Sequence, residues 1–151
     1  MGTPLRTKTV ITFDDLYAKG PAGQLPPDYC GFTWCENAWF LAKRYYSAIE
    51  TGRRVALFNA HGKTISFGRE AAFNLTGLSL SSLWEDTARV LIEGSRNEVL
   101  THSRAITVSR NAVIRPELEF LDIDRVSLSA GGAHVMVADI SVILEPALER
   151  T

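Results

Sequence analysis

Apolar and polar residues alternate in short runs through the second half of the chain. Leu78, Leu80 and Leu83 interleave with serines, and Val126 and Leu128 flank Ser127. A period of two turns one side of an extended segment toward a core and the other toward water, so these runs are predicted strands. They are "TISFG" (64–68), "AAFNL" (71–75), "LSLSSLW" (78–84), "ARVLIEG" (88–94), "VLTHSRAITV" (99–108), "ELEFLDI" (117–123), "DRVSLSA" (124–130) and "AHVMVADISVIL" (133–144). Gly62, Gly68, Gly77, Gly94 and Gly131-Gly132 supply the predicted turns. Strands repeated at this spacing, without an alternating strand–helix pattern or an internal repeat, predict an antiparallel sandwich or barrel.

The first third differs. "GPAGQLPPDY" (20–29) holds three of the six prolines and is predicted loop. "ENAWFLAKRYYSAIETG" (36–52) places Trp39 or Ala38, Leu41-Ala42, Tyr45 and Ile49 at helical spacing, with Gly52 as a C-cap, and predicts a short helix. "RVALFNA" (54–60) returns to strand. The expected fold class is all-β: an antiparallel jelly-roll β-sandwich with one short helix or long loop in the first third. The expected organisation is a single domain over 1–151, with residues 1–8 disordered.

Composition narrows the function classes. A chain of 151 residues buries a sizeable core as one domain. Lys and Arg number 16 against 17 Asp and Glu, and the only close basic pairs are Lys43-Arg44 and Arg53-Arg54. Such a balance creates no field for nucleic acid. No apolar run approaches the roughly 18–20 residues of a membrane helix. The start "MGTPLRTKTV" has no apolar signal-peptide core, and Arg6 stands where a myristoylation signal needs Ser or Thr. A cytoplasmic location is therefore expected unless the chain is a processed form. Two cysteines, Cys30 and Cys35, cannot make the disulfide framework of a small secreted domain.

The order "TFDDL", "LPPDYCGFTW", "RVALFNAHG", "LSLSSLWEDTARVLIEGS" and "LEFLDIDRVSLSAGGAHVMVADISV" resembles a group of small bacterial and fungal β-sandwich proteins. Their pattern is F-D-D-L, P-x-G-Y-x-G-F-x-W, V-A-F-N, a strand ending W-x-D-G, then G-I/V-D-x-V-x-F and F-x-M-D-D/N. The likeness runs from Thr12 to Val142 and lies in the order of motifs. It departs at Asp28 and Thr87, where the pattern has Gly, and at Ala138, which precedes a single Asp139. The resemblance implies a jelly roll of the carbohydrate-binding-module or galactose-binding-like kind. Many such proteins are secreted or surface-sorted, and most have no assigned activity.

Five constellations carry candidate chemistry. In jelly rolls the first and last strands lie side by side, so Asp14, Asp15 and Asp139 are candidate ligands of a structural Ca²⁺, which takes six to eight oxygens. The alternative is that Asp14 and Asp15 close a turn through side chain to backbone bonds. Aromatic residues cluster next: seven of Tyr29, Phe32, Trp34, Trp39, Phe40, Tyr45, Tyr46 and Trp84 fall between 29 and 46. Amphipathic rings suit half-exposed sites where sugars or small molecules stack. Trp39, Tyr45 and Tyr46 are the candidate ligand wall, with Trp34 added; Phe32, Trp34 and Trp84 also read as core.

His61, His102 and His134 lack metal-ligand spacing, and His102 is the one weak candidate for proton transfer. The C-x4-C spacing of Cys30 and Cys35 is neither a redox nor a zinc motif, and reads as two thiols. Glu85 and Asp86 beside Trp84 are adjacent and diverge, unlike a glycosidase pair. Nothing in the spacing of Glu70, Glu93 and Glu98 says whether they meet. "NLT" at Asn74 is a glycosylation sequon if the protein is secreted.

Three function classes follow. The favoured one is a non-catalytic module that binds a small ligand or glycan, with no cofactor or with a structural Ca²⁺. The first alternative is a cyclase of natural-product biosynthesis, in which an apolar, aromatic-lined cavity positions the substrate. The second is a self-associating structural protein, a homodimer built on sandwich edges or faces.

Overall fold

The computed structural model describes residues 7–42, 54–110 and 112–144. Ten strands fall among them: β1 (Thr7–Thr12), β2 (Ala22–Gln24), β3 (Thr33–Trp34), β4 (Ala38–Ala42), β5 (Val55–Asn59), β6 (Ile65–Ser82), β7 (Thr87–Arg96), β8 (Val99–Ser109), β9 (Glu117–Ser129) and β10 (Val135–Leu144). Every strand pairing is antiparallel. The hydrogen-bonded order is β2-β4-β5-β10-β6-β9-β7-β8, with β1 added to β10 and β3 to β6. This open sheet wraps over the main core as an all-β, antiparallel sandwich of the jelly-roll class. Among the described residues the helical segments are short 3-10 turns: Asp14–Lys19, Tyr29–Gly31 and Ala60–Gly62.

Strand β6 is the spine. The three runs between Thr64 and Trp84 are not separate strands but one strand of 18 residues. Gly68 and Gly77, expected as turns, lie inside it. A side chain at Gly68 would run into the carbonyl oxygen of Asp124, so glycine there lets β9 approach backbone to backbone. The two runs 117–123 and 124–130 likewise form the single strand β9, in which Asp122 adopts φ +55°. Its N–H donates to Asn74 Oδ1 at 2.8 Å. Asn74 is buried in that role, which closes the glycosylation sequon in the folded protein. Gly94, expected at a strand end, lies in β7 under Phe120, whose ring leaves 2.9 Å for a Cβ.

The inner face carries Ile65, Phe67, Phe73, Leu75 and Leu80 of β6 together with Val90, Ile92, Ile123, Val137 and Ile140. Aromatic rings fill its first end. Trp34 stacks on Phe67 at 4.8 Å, Phe32 meets Phe73 edge-on at 5.0 Å, and Phe13 lies against Tyr29 at 5.8 Å.

Residues 38–42 form strand β4, not the start of a helix; 43–53, which hold the rest of that expected helix, lie outside the described residues. Ala38 and Phe40 enter the main core, while Trp39 and Leu41 join a second apolar layer on the outer face. A strand covered on both sides has no polar alternation, which is why it resembles a buried helix in sequence. β1 takes in Thr7 and Lys8 of the stretch expected to be disordered, pairing them with Leu144 and Ile143.

Candidate functional site

The outer layer is built by register. Trp39 of β4 lies opposite Phe58 of β5, and Phe58 opposite Met136 of β10, so the three side chains share one face. Leu41, Ala56, Ala60 and Leu83 complete the patch. Beside it the chain leaves β6 at Ser82 and turns through Leu83–Asp86 into β7.

That turn is held from three directions. Ser82 Oγ donates to the Glu85 carbonyl at 2.6 Å and closes it locally. The residue preceding β10 clasps it: Leu83 N–H donates to His134 O at 2.9 Å, and His134 N–H to Glu85 Oε1 at 2.9 Å. Arg110, beyond β8, donates to the Trp84 carbonyl at 3.2 Å and pairs with Asp86 at 3.0 Å. The ion pair is exposed and adds little energy by itself; its effect is to fix the turn.

Trp84, which with Phe32 and Trp34 also read as core, stands on this turn 50% exposed. Its ring lies 4.7 Å from His134 and 6.3 Å from Phe58. One side of the indole is backed by aromatic surface and the rest meets solvent. His134 Nδ1 is 3.4 Å from Glu85 Oε2. Burial alone would lift the Glu85 carboxyl, but hydrogen bonds from the His134 N–H, its own backbone and the imidazole hold it below the ordinary glutamate range. The group presents an apolar ring flanked by a carboxylate, an imidazole and a guanidinium. Such a set can stack a flat apolar ligand face and bond hydroxyls at its rim.

The expected ligand residues separate. Trp39 is half-buried on the same face, its indole N–H donating to Glu36 O at 3.1 Å. Trp34 is 5% exposed in the aromatic core, with its N–H on Tyr29 O at 2.7 Å, so it presents no surface to a ligand. Tyr45 and Tyr46 lie outside the described residues.

The expected metal ligands separate as well. β1 does lie beside β10, with Thr12 opposite Asp139. The three carboxylates nonetheless point to different donors. Asp14 Oδ1 accepts the N–H groups of Arg54 and Val55 at 2.7 and 3.2 Å, and Asp15 accepts the Tyr29 hydroxyl. Asp139 accepts Ser79 Oγ at 2.6 Å on the outer face. No group of three or more His, Cys, Asp or Glu side chains among the described residues is disposed to hold a metal ion. Burial, and then the bond to Asp15, push the Tyr29 phenol well above the usual tyrosine range, so it stays a donor.

His102 stacks on Phe120 at 5.1 Å, and its Nδ1 lies 2.9 Å from Thr101 Oγ1. Cys30 and Cys35 are free thiols. Glu70 and Glu98, whose meeting the spacing could not decide, line one open cleft together with Asp124 and Arg125. Sequence reasoning missed Trp84 and His134 as partners because 49 residues separate Glu85 from His134. The one available signal was local: a tryptophan followed by two acids cannot continue a buried strand.

No described protein family matches this chain, and no curated protein does. Among solved structures it is similar to an agarase, AgWH50C, with a TM-score of 0.52 and 11% identity over 86% of this chain and 25% of that one. It is also similar to PfGH50B (TM-score 0.43, 10% identity, 95% of this chain and 23% of that one). A third is TmCBM61, solved in complex with beta-1,4-galactotriose (TM-score 0.35, 10% identity, 79% and 88%). The chain spans about a quarter of the length of the agarase, and at this identity the likeness is one of fold.

Proposed function

We propose that this chain is a saccharide-binding β-sandwich module without a catalytic role, and that Trp84 is its stacking platform. The observation that carries the reading is a half-exposed indole on a turn already hydrogen-bonded to two distant parts of the chain. A platform ordered before binding loses little entropy when a ligand settles on it. The apolar C–H face of a pyranose matches the open indole surface, and Glu85, His134 and Arg110 supply acceptors and donors for its hydroxyls. Trp39, on the same face, extends the platform toward β4. The likeness in fold to part of an agarase makes agarose the first polysaccharide to test.

The test is affinity electrophoresis in gels containing agarose or other neutral polysaccharides, followed by calorimetry with short agarose oligosaccharides. Trp84→Ala is expected to lose at least tenfold in affinity, and Trp39→Ala a smaller factor. Full binding by Trp84→Ala would overturn the assignment.

A further inference from the structure

A second concave surface lies elsewhere on β6. The turn between β7 and β8, with Asn97 at φ +51° and Glu98 at φ +68°, stands over the β6–β9 pairing and leaves an open cleft of about 450 Å³. It is lined by Thr33, Arg69, Glu70, Asn97, Glu98, Asp124 and Arg125, with Gly68 at its floor. The volume falls within the roughly 300–1,000 Å³ of small-molecule sites.

The walls are held in place by the fold. Asn97 N–H donates to Asp124 Oδ2 at 3.0 Å, which ties the turn to β9. Arg125 donates to Ser66 Oγ at 2.8 Å, and Arg69 to the carbonyls of Ala71 and Ala72 at 3.0 and 3.1 Å. Gly68 lets β9 close on β6 at the floor.

Charge selects the ligand class. Two guanidiniums oppose three carboxylates, which leaves the cleft one negative charge. An anion would meet Glu70, Glu98 and Asp124, and a cation would meet Arg69 and Arg125. A neutral polyol satisfies both signs, because each hydroxyl donates to a carboxylate while accepting from a guanidinium or amide. We propose that this cleft is a second saccharide site, for a neutral sugar ring bound through its hydroxyls rather than by stacking. The two sites sit on separate stretches of β6, at Gly68–Glu70 and just beyond Ser82, so one chain would engage two sugar segments. This rests on the saccharide reading of the protein but not on Trp84.

The experiment is amide-shift mapping on the ¹⁵N-labelled full chain, titrated with short agarose oligosaccharides and separately with sulfated galactan oligosaccharides. Saturable shifts at Asn97, Glu98 and Arg125 with the neutral sugar are expected, in the wild type and equally in Trp84→Ala. Glu98→Gln and Arg125→Met should each weaken them at least tenfold while the rest of the spectrum stays folded. Shifts confined to Leu83–Glu85 and His134 would overturn the second site and leave Trp84 standing. Shifts at the cleft alone would do the reverse. Cleft shifts with the sulfated sugar only, or unaltered in both variants, would also overturn it; no shift anywhere would overturn both sites.

Discussion

Asn59 spans the gap to Val135 with both ends of its amide: Oδ1 accepts the Val135 N–H at 2.7 Å, and Nδ2 donates to Ala133 O at 2.9 Å. The side chain is fully buried. It therefore anchors the segment that delivers His134 to the Trp84 turn. Asn59→Ala would leave a buried donor and a buried acceptor unsatisfied, each worth about 1–3 kcal/mol. The expected result is a lower denaturant midpoint with an unchanged slope. Weaker packing of His134 should also shift Trp84 fluorescence, recorded against a Trp34→Phe, Trp39→Phe background.

The two tryptophans read differently by structure should separate in stability. Trp84→Ala removes a half-exposed ring and is expected to cost no more than about 1 kcal/mol. Trp34→Ala empties part of the aromatic core and should cost about 3–5 kcal/mol. Urea unfolding of both variants checks the contrast; equal costs would mean that Trp84 is core.

The clasp between Glu85 and His134 has a defined pH window. The Glu85 carboxyl is held below its ordinary range, so the stabilisation is present in full above the unfolded value of about 4.3. It is lost as pH falls through the lowered folded value. Melting temperature should therefore drop more gently below pH 4 in Glu85→Gln than in the wild type, with the two converging at the acid end. Because the carboxylate is substantially solvated, the difference should be small.

Two neighbouring glycines offer a control on backbone sterics. Gly62 has φ +68°, and a Cβ there would run into the Gly132 carbonyl oxygen. Gly131 has φ +62° but open space around its Cβ position. Gly131→Ala should cost only the left-handed penalty of about 1–2 kcal/mol. Gly62→Ala adds a clash with rigid backbone and should lower the melting temperature further. Thermal unfolding of the pair measures the difference.

Much of the fold was legible in the residues. The pairing of "VITF" with "ADISV" at opposite ends of the chain is realised as β1 against β10. Asp14 and Asp15 do follow the first strand in a 3-10 turn, but their side chains do not close it: Asp14 accepts the N–H groups of Val55 in β5 and of Arg54 just before it, and Asp15 accepts the Tyr29 hydroxyl. Glycine misled where it served close approach instead of reversal: Gly68 and Gly94 look identical to turn glycines until a facing backbone or ring is known. β4 misled because apolar residues cover both of its faces. The candidate site was only half visible for a different reason. Trp84 and its acids stand together in sequence, but the groups that orient them, His134 and Arg110, arrive from β10 and β8, and no local pattern records a long-range hydrogen bond.

The length of β6 has a consequence for how the protein opens. The strand bonds β9 along one edge and β3 and then β10 along the other. Neither layer can peel away without dissolving a ladder that the opposite layer shares. Native-state hydrogen exchange should accordingly find the amides of β6, β9 and β10 in one slow class with a single opening free energy, a sandwich that breathes as one cooperative unit.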